Sequence, residues 1–290
     1  MKRERNSGIE VLRIISMLLI IAYHFAVHGL VNTGFFDNNN NYVINAFAIG
    51  GKLGVSVFVL ISGYFSTGHK LNYRRLATLE FEVLFYSIGL YLVSLLTDLE
   101  ISRSDLKVLF PVIFSEYWFI TDYLILMLLS PFLNAAICNT EKKSLKNIIL
   151  LSICIWSLLP CLLRENTTYS DLIWFIVLYI LAAYLKKYGG WRRISPRMLL
   201  LCSIGTFFLI LCFSEITLWY GMRIDSQKLR AISGYYGNLN SPLVLLCSVT
   251  TLLYVLSRKE FSCTIINKVS EACFGGKRLT IGALSPSQTL

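Results

Sequence analysis

Apolar residues along this chain form long blocks separated by short polar stretches, instead of recurring every three to four residues. A block of about twenty apolar residues is long enough to cross the hydrocarbon core of a bilayer as a helix. The chain is therefore predicted to be an all-α, polytopic transmembrane helical bundle of about eight spans. The predicted helices cover residues 8–29, 50–67, 79–97, 116–137, 147–163, 171–187, 198–220 and 241–257.

The composition supports a membrane bundle over a soluble domain. Of the residues, 55% are hydrophobic and only 15% are charged, whereas about one quarter of a soluble domain is charged. The eight cysteines lie mostly inside apolar blocks and form no C-x-x-C pair. They are interpreted as small packing residues, so neither a disulfide framework nor a metal site is predicted.

Lysine and arginine are distributed unevenly between the predicted loops. If the N-terminus lies in the cytoplasm, most of the 27 basic residues fall on the cytoplasmic side. This asymmetry follows the positive-inside rule and supports both the helix count and the orientation. The net charge of +10 is thereby attributed to membrane topology, and no nucleic-acid partner is predicted. The outside loops are predicted at 30–50, 98–115 and 221–240.

The first apolar block contains four ionisable residues, Glu10, Arg13, His24 and His28. Charged groups inside a spanning helix are costly and by default indicate function. Arg13 and His24 are eleven residues apart, which places them on one stripe of the helix about 16 Å apart, and Glu10 is close enough to pair with Arg13. A histidine suits proton removal from a hydroxyl at neutral pH. Alternatively, Arg13 snorkels to the interface and His24 makes a polar contact between helices.

Further polar candidates lie at the predicted helix ends. Lys70, Arg74 and Arg75 follow the second helix on the predicted cytoplasmic side, where they suit phosphate binding or simply mark the topology. Glu116 and Asp122 flank Trp118 at the outer end of the fourth helix. They would line a cleft for an acceptor, or form an interfacial cap with aromatic neighbours.

Several stretches carry a family resemblance. The R-x10-H spacing of Arg13 and His24 is followed by LGVSVFVLISGYF at 53–65 and YWFITDYLILMLLSPFLN at 117–134. WFIVLYILAAYLKKYG and LNSPLVLLCSVTTLLYVL then follow at 174–189 and 239–256. In this order they resemble the acyltransferase-3 family, bacterial integral-membrane O-acetyltransferases that modify cell-surface polysaccharides and related glycans. The resemblance extends to about residue 274, so we expect one membrane domain over 1–274 and a divergent tail over 275–290.

The resemblance implies a reaction in the bacterial inner membrane. Acetyl-CoA would be the cytoplasmic donor, with no metal, and the acceptor would be a hydroxyl of a surface polysaccharide or lipid-linked glycan. His24 matches the family's histidine and would act as general base or carry the acetyl group covalently. Arg13 would face the donor or orient the helix by pairing with Glu10. The expected substrate-binding residues are Glu10, Lys70, Arg74, Arg75, Glu116 and Trp118.

The sequence departs from the family pattern at its end. Family members usually have about ten helices, but Phe274 and Gly275 are followed here by GKRLTIGALSPSQTL. We therefore expect a truncated or frameshifted copy that lacks the last two helices. Two other functions remain open from the residues: a transporter or flippase with Arg13 and His24 in a proton relay or substrate path, or an inactive truncated membrane protein.

Overall fold

A computed structural model describes residues 6–26, 41–96, 110–114, 117–163 and 170–273. Within these ranges the chain is helical and contains no strand, so the predicted all-α class is confirmed. The helices are α1 (Ser7–His24), α2 (Asn41–Ser66), α3 (Tyr73–Leu96), α4 (Trp118–Asn139), α5 (Lys142–Leu163), α6 (Asp171–Tyr188), α7 (Pro196–Arg223), α8 (Gln227–Tyr236), α9 (Pro242–Ser257) and α10 (Thr264–Cys273). A π-helical turn interrupts α5 at Cys154–Leu158.

Six of these helices are long and apolar enough to cross a membrane, namely α1, α2, α3, α4, α5 and α7. The other two predicted spans are also helical, as α6 and α9. Helix α6 carries Asp171 at its start and Lys186 and Lys187 in its last turn, and α9 has 16 residues. The chain is therefore a multi-pass membrane protein. The seven cysteines that the structure describes in detail are free thiols.

Two predicted loops contain helix, and these predictions are wrong. Helix α2 begins at Asn41, so residues 41–50 of the predicted outside loop 30–50 belong to it. Gly50 and Gly51 lie inside this continuous helix, and a Cβ built at Gly51 would lie 2.3 Å from Cβ of Tyr23. The glycine is where α2 crosses α1 at close range.

The predicted loop 221–240 contains α8, a short amphipathic helix that lies against α7. Its buried residues are Ile232 and Ser233, and the Ser214 hydroxyl donates to the Ser233 carbonyl at 2.7 Å. Its single apolar stripe is too short to resemble a membrane span, so this helix was not predicted from the sequence. The boundary predicted at residue 274 and the divergent tail lie outside the described residues, and both stay predictions.

Helix α2 runs antiparallel to α1 and parallel to α6. Gly54 of α2 lies against the Ser16 carbonyl, whereas Gly63 lies against the backbone of Tyr179 in α6. Further along both helices, Lys186 Nζ donates to the Thr67 carbonyl at 2.7 Å. The buried core lies between α2, α4 and α6 and includes Leu60, Ile61, Leu126, Trp174, Phe175 and Tyr179.

These directions sort the helix ends onto two faces of the bundle. What we call the N-terminal face carries Ser7, Ser66, Asn139, Tyr188 and Ser257. What we call the opposite face carries His24, Asn41, Trp118, Asp171 and Pro242. Contacts support the first grouping, since the Ser7 amide donates to the Phe261 carbonyl at 2.8 Å just beyond α9. They support the second, since the Trp174 indole donates to the Leu239 carbonyl at 2.9 Å.

Candidate functional site

Arg13 lies inside the bundle near the N-terminal face. Its residue exposure is 7%, and Nη1 lies 3.5 Å from Oε1 of Glu10, so the pair predicted from the i, i+3 spacing is present. The guanidinium carbon lies 5.8 Å from the centre of the Phe65 ring. The other carboxylate oxygen of Glu10 accepts a hydrogen bond from the Ser270 hydroxyl of α10. Arg13 is thus held between a carboxylate on its own helix and a ring at the end of α2.

Two further cations lie around Tyr64, next to Phe65 in the last turn of α2. Lys186 Nζ lies 5.9 Å from the centre of the Tyr64 ring. The Arg192 side chain lies within electrostatic range of Tyr64 and follows the left-handed Gly189, whose φ is +57°. Arg13, Lys186 and Arg192 therefore form one cluster around Tyr64 and Phe65, which we call the arginine cluster.

The predicted donor-side residues lie on the same face as the arginine cluster. Lys70 is exposed in the link between α2 and α3, and Arg74 is exposed in the first turn of α3. The side chain of Arg75 lies outside the described residues. His69 lies beside them, and partial burial together with the positive charge of Lys186 lowers its pKa below the ordinary histidine value.

Lys186 and Arg192 were not among the site residues predicted from the sequence. Both belong to the basic stretch LKKYGGWRR at 185–193, which was interpreted as a topology signal. The useful signal was the Gly189-Gly190 pair, because a left-handed glycine ends α6 and redirects the chain so that Arg192 comes near Tyr64.

His24 ends α1 at the opposite face. Its side chain is exposed, and its ring meets the Tyr23 ring edge-on with centroids 5.1 Å apart. Arg13 and His24 are separated by eleven residues of regular helix, which amounts to about 16 Å along the axis. A single helix therefore presents one candidate residue to each face.

A lysine surrounded by aromatic rings lies next to Tyr23. Lys52 Nζ lies 5.0 Å from the ring centre of Trp118 and 5.6 Å from that of Tyr23. Asp171, in the first turn of α6, lies within electrostatic range of both Lys52 and Tyr23. We call Tyr23, Lys52, Trp118 and Asp171 the lysine cage. It draws one residue from each of α1, α2, α4 and α6.

The structure places Trp118 at the opposite face, as the sequence predicted, and packs its ring against Phe175 with centroids 6.4 Å apart. Glu116 lies outside the described residues. Neither Lys52 nor Asp171 was predicted as a site residue. The predicted second helix began at residue 50, which placed Lys52 at the end of a loop. With α2 beginning at Asn41, Lys52 lies well inside a helix, where a lysine calls for partners.

Hydrogen-bonding side chains line the core between the two faces. The hydroxyls of Ser62 and Tyr123 lie 3.3 Å apart, and the Tyr179 hydroxyl donates to Oδ1 of Asn134 at 2.9 Å. Asn134 Nδ2 in turn donates to the Ser66 carbonyl at 3.2 Å. These contacts tie α2, α4 and α6 together and fix the arginine cluster relative to the lysine cage.

Comparison with known proteins identifies the family. The model of the acyltransferase-3 family, described as an acyltransferase domain, matches residues 6–275. No curated protein and no solved structure matched the chain. The matched segment runs from the residue before α1 past the end of α10 and contains both polar sites. The chain therefore belongs to the acyltransferase-3 family and is an acyltransferase of the multi-pass membrane type.

Proposed function

We propose that this acyltransferase moves an acetyl group from acetyl-CoA to a hydroxyl of a cell-surface polysaccharide or lipid-linked glycan. The observation that carries the proposal is the pairing of two different sites on α1. Arg13 lies in a cationic, partly buried cluster at one face, and His24 lies beside the Tyr23 ring at the other. A transfer across a bilayer needs an anion-binding donor site and an acceptor site with a base, in this relative position.

The donor is proposed to bind at the N-terminal face. Coenzyme A carries several phosphates, and arginine binds phosphate through paired N–H groups. The arginine cluster supplies such groups around Tyr64 and Phe65, and Lys70, Arg74 and Arg75 would extend the cationic surface. Glu10 is proposed to serve the donor through Arg13.

The N-terminal face is proposed to lie in the cytoplasm of a bacterium, with the protein in the inner membrane. Most of the described basic residues collect on this face, as the positive-inside rule requires. They include Lys70, Arg74, Lys142, Lys143, Lys146, Lys186, Lys187, Arg192, Arg193, Arg197, Arg258, Lys259 and Lys268. The opposite face carries Lys52, Arg223, Lys228 and Arg230.

The acceptor is proposed to bind at the lysine cage. Ligand sites combine aromatic surfaces with a small number of polar groups that fix orientation. Trp118 and Tyr23 supply the rings, while Lys52 and Asp171 supply opposite charges for polar groups of the acceptor. Glu116, two residues before Trp118, is proposed to belong to the same site.

His24 is proposed to activate the acceptor. Its neutral imidazole accepts the proton of the sugar hydroxyl, and the oxygen forms a bond to the acetyl carbonyl carbon. The carbon–sulfur bond breaks, and the departing CoA thiolate receives the proton from the imidazolium. In the alternative route the imidazole nitrogen first bonds to the acetyl carbon, the carbon–sulfur bond breaks, and CoA leaves as its thiol with the imidazole proton. The sugar oxygen then displaces the imidazole from the acetyl carbon, and the imidazole takes up the hydroxyl proton. Because Arg13 and His24 lie about 16 Å apart, the donor's thioester must extend along α1 from the arginine cluster in either route.

The test is acetyl transfer by purified protein in vesicles supplied with labelled acetyl-CoA and a glycan acceptor. His24→Ala is expected to abolish transfer at unchanged protein level, while His69→Ala, at the other face, is expected to retain it. Normal acetylation by His24→Ala would refute the assigned role. Movement of the glycan across the vesicle membrane without acetylation would instead support a transporter.

The same preparation separates the two routes. Wild-type protein is incubated with labelled acetyl-CoA in the absence of acceptor and then quenched. Label retained on the peptide that contains His24 supports the covalent route. Complete absence of label on the protein, with transfer intact when acceptor is added, supports direct attack by the sugar oxygen.

A further inference from the structure

Helix α10 docks beside α1 through two matched polar contacts. Ser7 Oγ donates to Oδ1 of Asn267 at 3.0 Å and accepts from the Cys263 amide at 2.7 Å. One turn further on, the Ser270 hydroxyl donates to Glu10. The steps from Ser7 to Glu10 and from Asn267 to Ser270 are both three residues, so the two helices run side by side in the same direction with their turns in register.

The second of these contacts reaches Arg13. Glu10 is 6% exposed and Ser270 is 2% exposed, so the carboxylate has little access to solvent. A buried carboxylate requires hydrogen bonds to remain charged. Glu10 accepts one from Ser270 and shares its other oxygen with Arg13. Ser270 therefore fixes the carboxylate that in turn fixes the guanidinium.

We propose that Ser270 is a positioning residue for acyl transfer, acting on Arg13 through Glu10. The inference rests on the proposed function, in which Arg13 binds the donor's phosphates. It adds that a residue about 260 positions away in sequence decides where the guanidinium points. Ser270 touches neither substrate nor the reacting atoms.

The test compares two serine variants that each remove one docking contact. Ser270→Ala is expected to raise the KM for acetyl-CoA about tenfold, the usual effect of losing a hydrogen bond to a charged group, with kcat nearly unchanged. Ser270→Thr keeps the hydroxyl and is expected to restore the KM. Ser7→Ala removes the neighbouring contact without touching Glu10 and is expected to leave the KM unchanged.

A double-mutant cycle isolates the path through Glu10. In a Glu10→Gln background the charged acceptor is already lost, so adding Ser270→Ala is expected to change the KM less than twofold. Independent, multiplicative effects of the two changes would overturn the proposal. An unchanged KM in Ser270→Ala, or an equal increase in Ser7→Ala, would overturn it as well.

A chemical readout tests the positioning without relying on activity. Phenylglyoxal modifies arginines that are not paired, and its reaction with Arg13 is followed by mass spectrometry of the detergent-solubilised protein. Ser270→Ala is expected to speed modification of Arg13 several-fold, and Ser7→Ala is not. If the wild type does not use acetyl-CoA, the proposed donor is wrong, but this measurement still decides whether Ser270 holds Arg13. Equal modification rates in all three proteins would refute the positioning role.

Discussion

Replacing Gly63 by alanine should force α2 and α6 apart. A Cβ built at Gly63 would lie 2.9 Å from the Tyr179 Cα and 3.2 Å from the Ala182 Cβ. Ordinary carbon contacts are about 3.5–4.0 Å, and the nearest atom belongs to a helix backbone that cannot rotate away. One helix must therefore shift by roughly 0.5–1 Å to admit the methyl group.

The change in the free energy of unfolding for Gly63→Ala is the sum of two opposing contributions. Overpacking of this kind costs about 1–3 kcal/mol, whereas the change from glycine to alanine inside a helix contributes about 1 kcal/mol in favour of folding. Gly205 in α7 provides the matched control, because a Cβ built there meets no described atom within 4 Å. Gly205→Ala should show only the stabilisation that comes from replacing glycine by alanine inside a helix. Gly63→Ala should therefore be less stable than Gly205→Ala by about 1–3 kcal/mol.

The assay is unfolding of each variant by sodium dodecyl sulfate in mixed micelles, followed by tryptophan fluorescence. Trp174 is buried in the core and reports directly on the packing of α6. Acetyl transfer by the same samples should fall with Gly63→Ala and remain with Gly205→Ala, because Tyr64 and Lys186 meet across the shifted interface. Equal unfolding free energies for the two variants would refute the close contact between α2 and α6.

Three further changes probe the two faces. Lys52→Met keeps the apolar stem but removes the charge, and it should lower the rate of acetyl transfer up to about tenfold because a partly buried cation–π contact is lost. Lys52→Arg should retain most of the rate. Equal rates in the two variants would exclude a role for the charge. Burial and the positive charge of Lys186 lower the pKa of His69, so protonation of this histidine opposes folding. The contribution of His69 to stability is therefore constant above about pH 6.5 and becomes unfavourable below that pH. His69→Gln should reduce the fall in the unfolding midpoint between pH 7.5 and 5.5, and an unchanged fall would contradict this origin. Finally, Lys70→Cys should react with membrane-impermeant maleimide only from the cytoplasmic side and Lys228→Cys only from outside, whereas the reverse pattern would overturn the proposed orientation.

The helices were predictable because burial in a bilayer leaves a strong mark on a sequence. The approximate position of each span follows from its apolar block, and the pairing of Arg13 with Glu10 follows from their spacing on one helix. The beginning of α2 did not follow, because residues 30–50 were interpreted as an outside loop from their polar, asparagine-rich stretch. Tyr23 of α1 packs against the bare backbone at Gly51, a contact between two helices that no local pattern records.

The lysine cage and the Ser270 contact were beyond sequence reasoning for a related reason. The cage gathers Tyr23, Lys52, Trp118 and Asp171 from four helices. Each residue alone resembles an ordinary interfacial side chain. Ser270 lies in a polar segment near the end of the described chain, and only the register between α10 and α1 brings it to Glu10.

The shared direction of α2, α4 and α6 has an electrical consequence. The peptide dipoles of a helix leave about half a positive charge at its N-terminus and half a negative charge at its C-terminus. Trp118 and Asp171 mark the beginnings of α4 and α6 at the lysine cage, and Lys186 and Lys187 lie in the last turn of α6. The positive ends of α4 and α6 therefore lie together at the lysine cage, and the negative end of the antiparallel α1 lies beside them. If the acceptor binds at the cage as proposed, negative charge that develops on the acyl carbonyl beside the beginnings of α4 and α6 would be stabilised by their peptide dipoles.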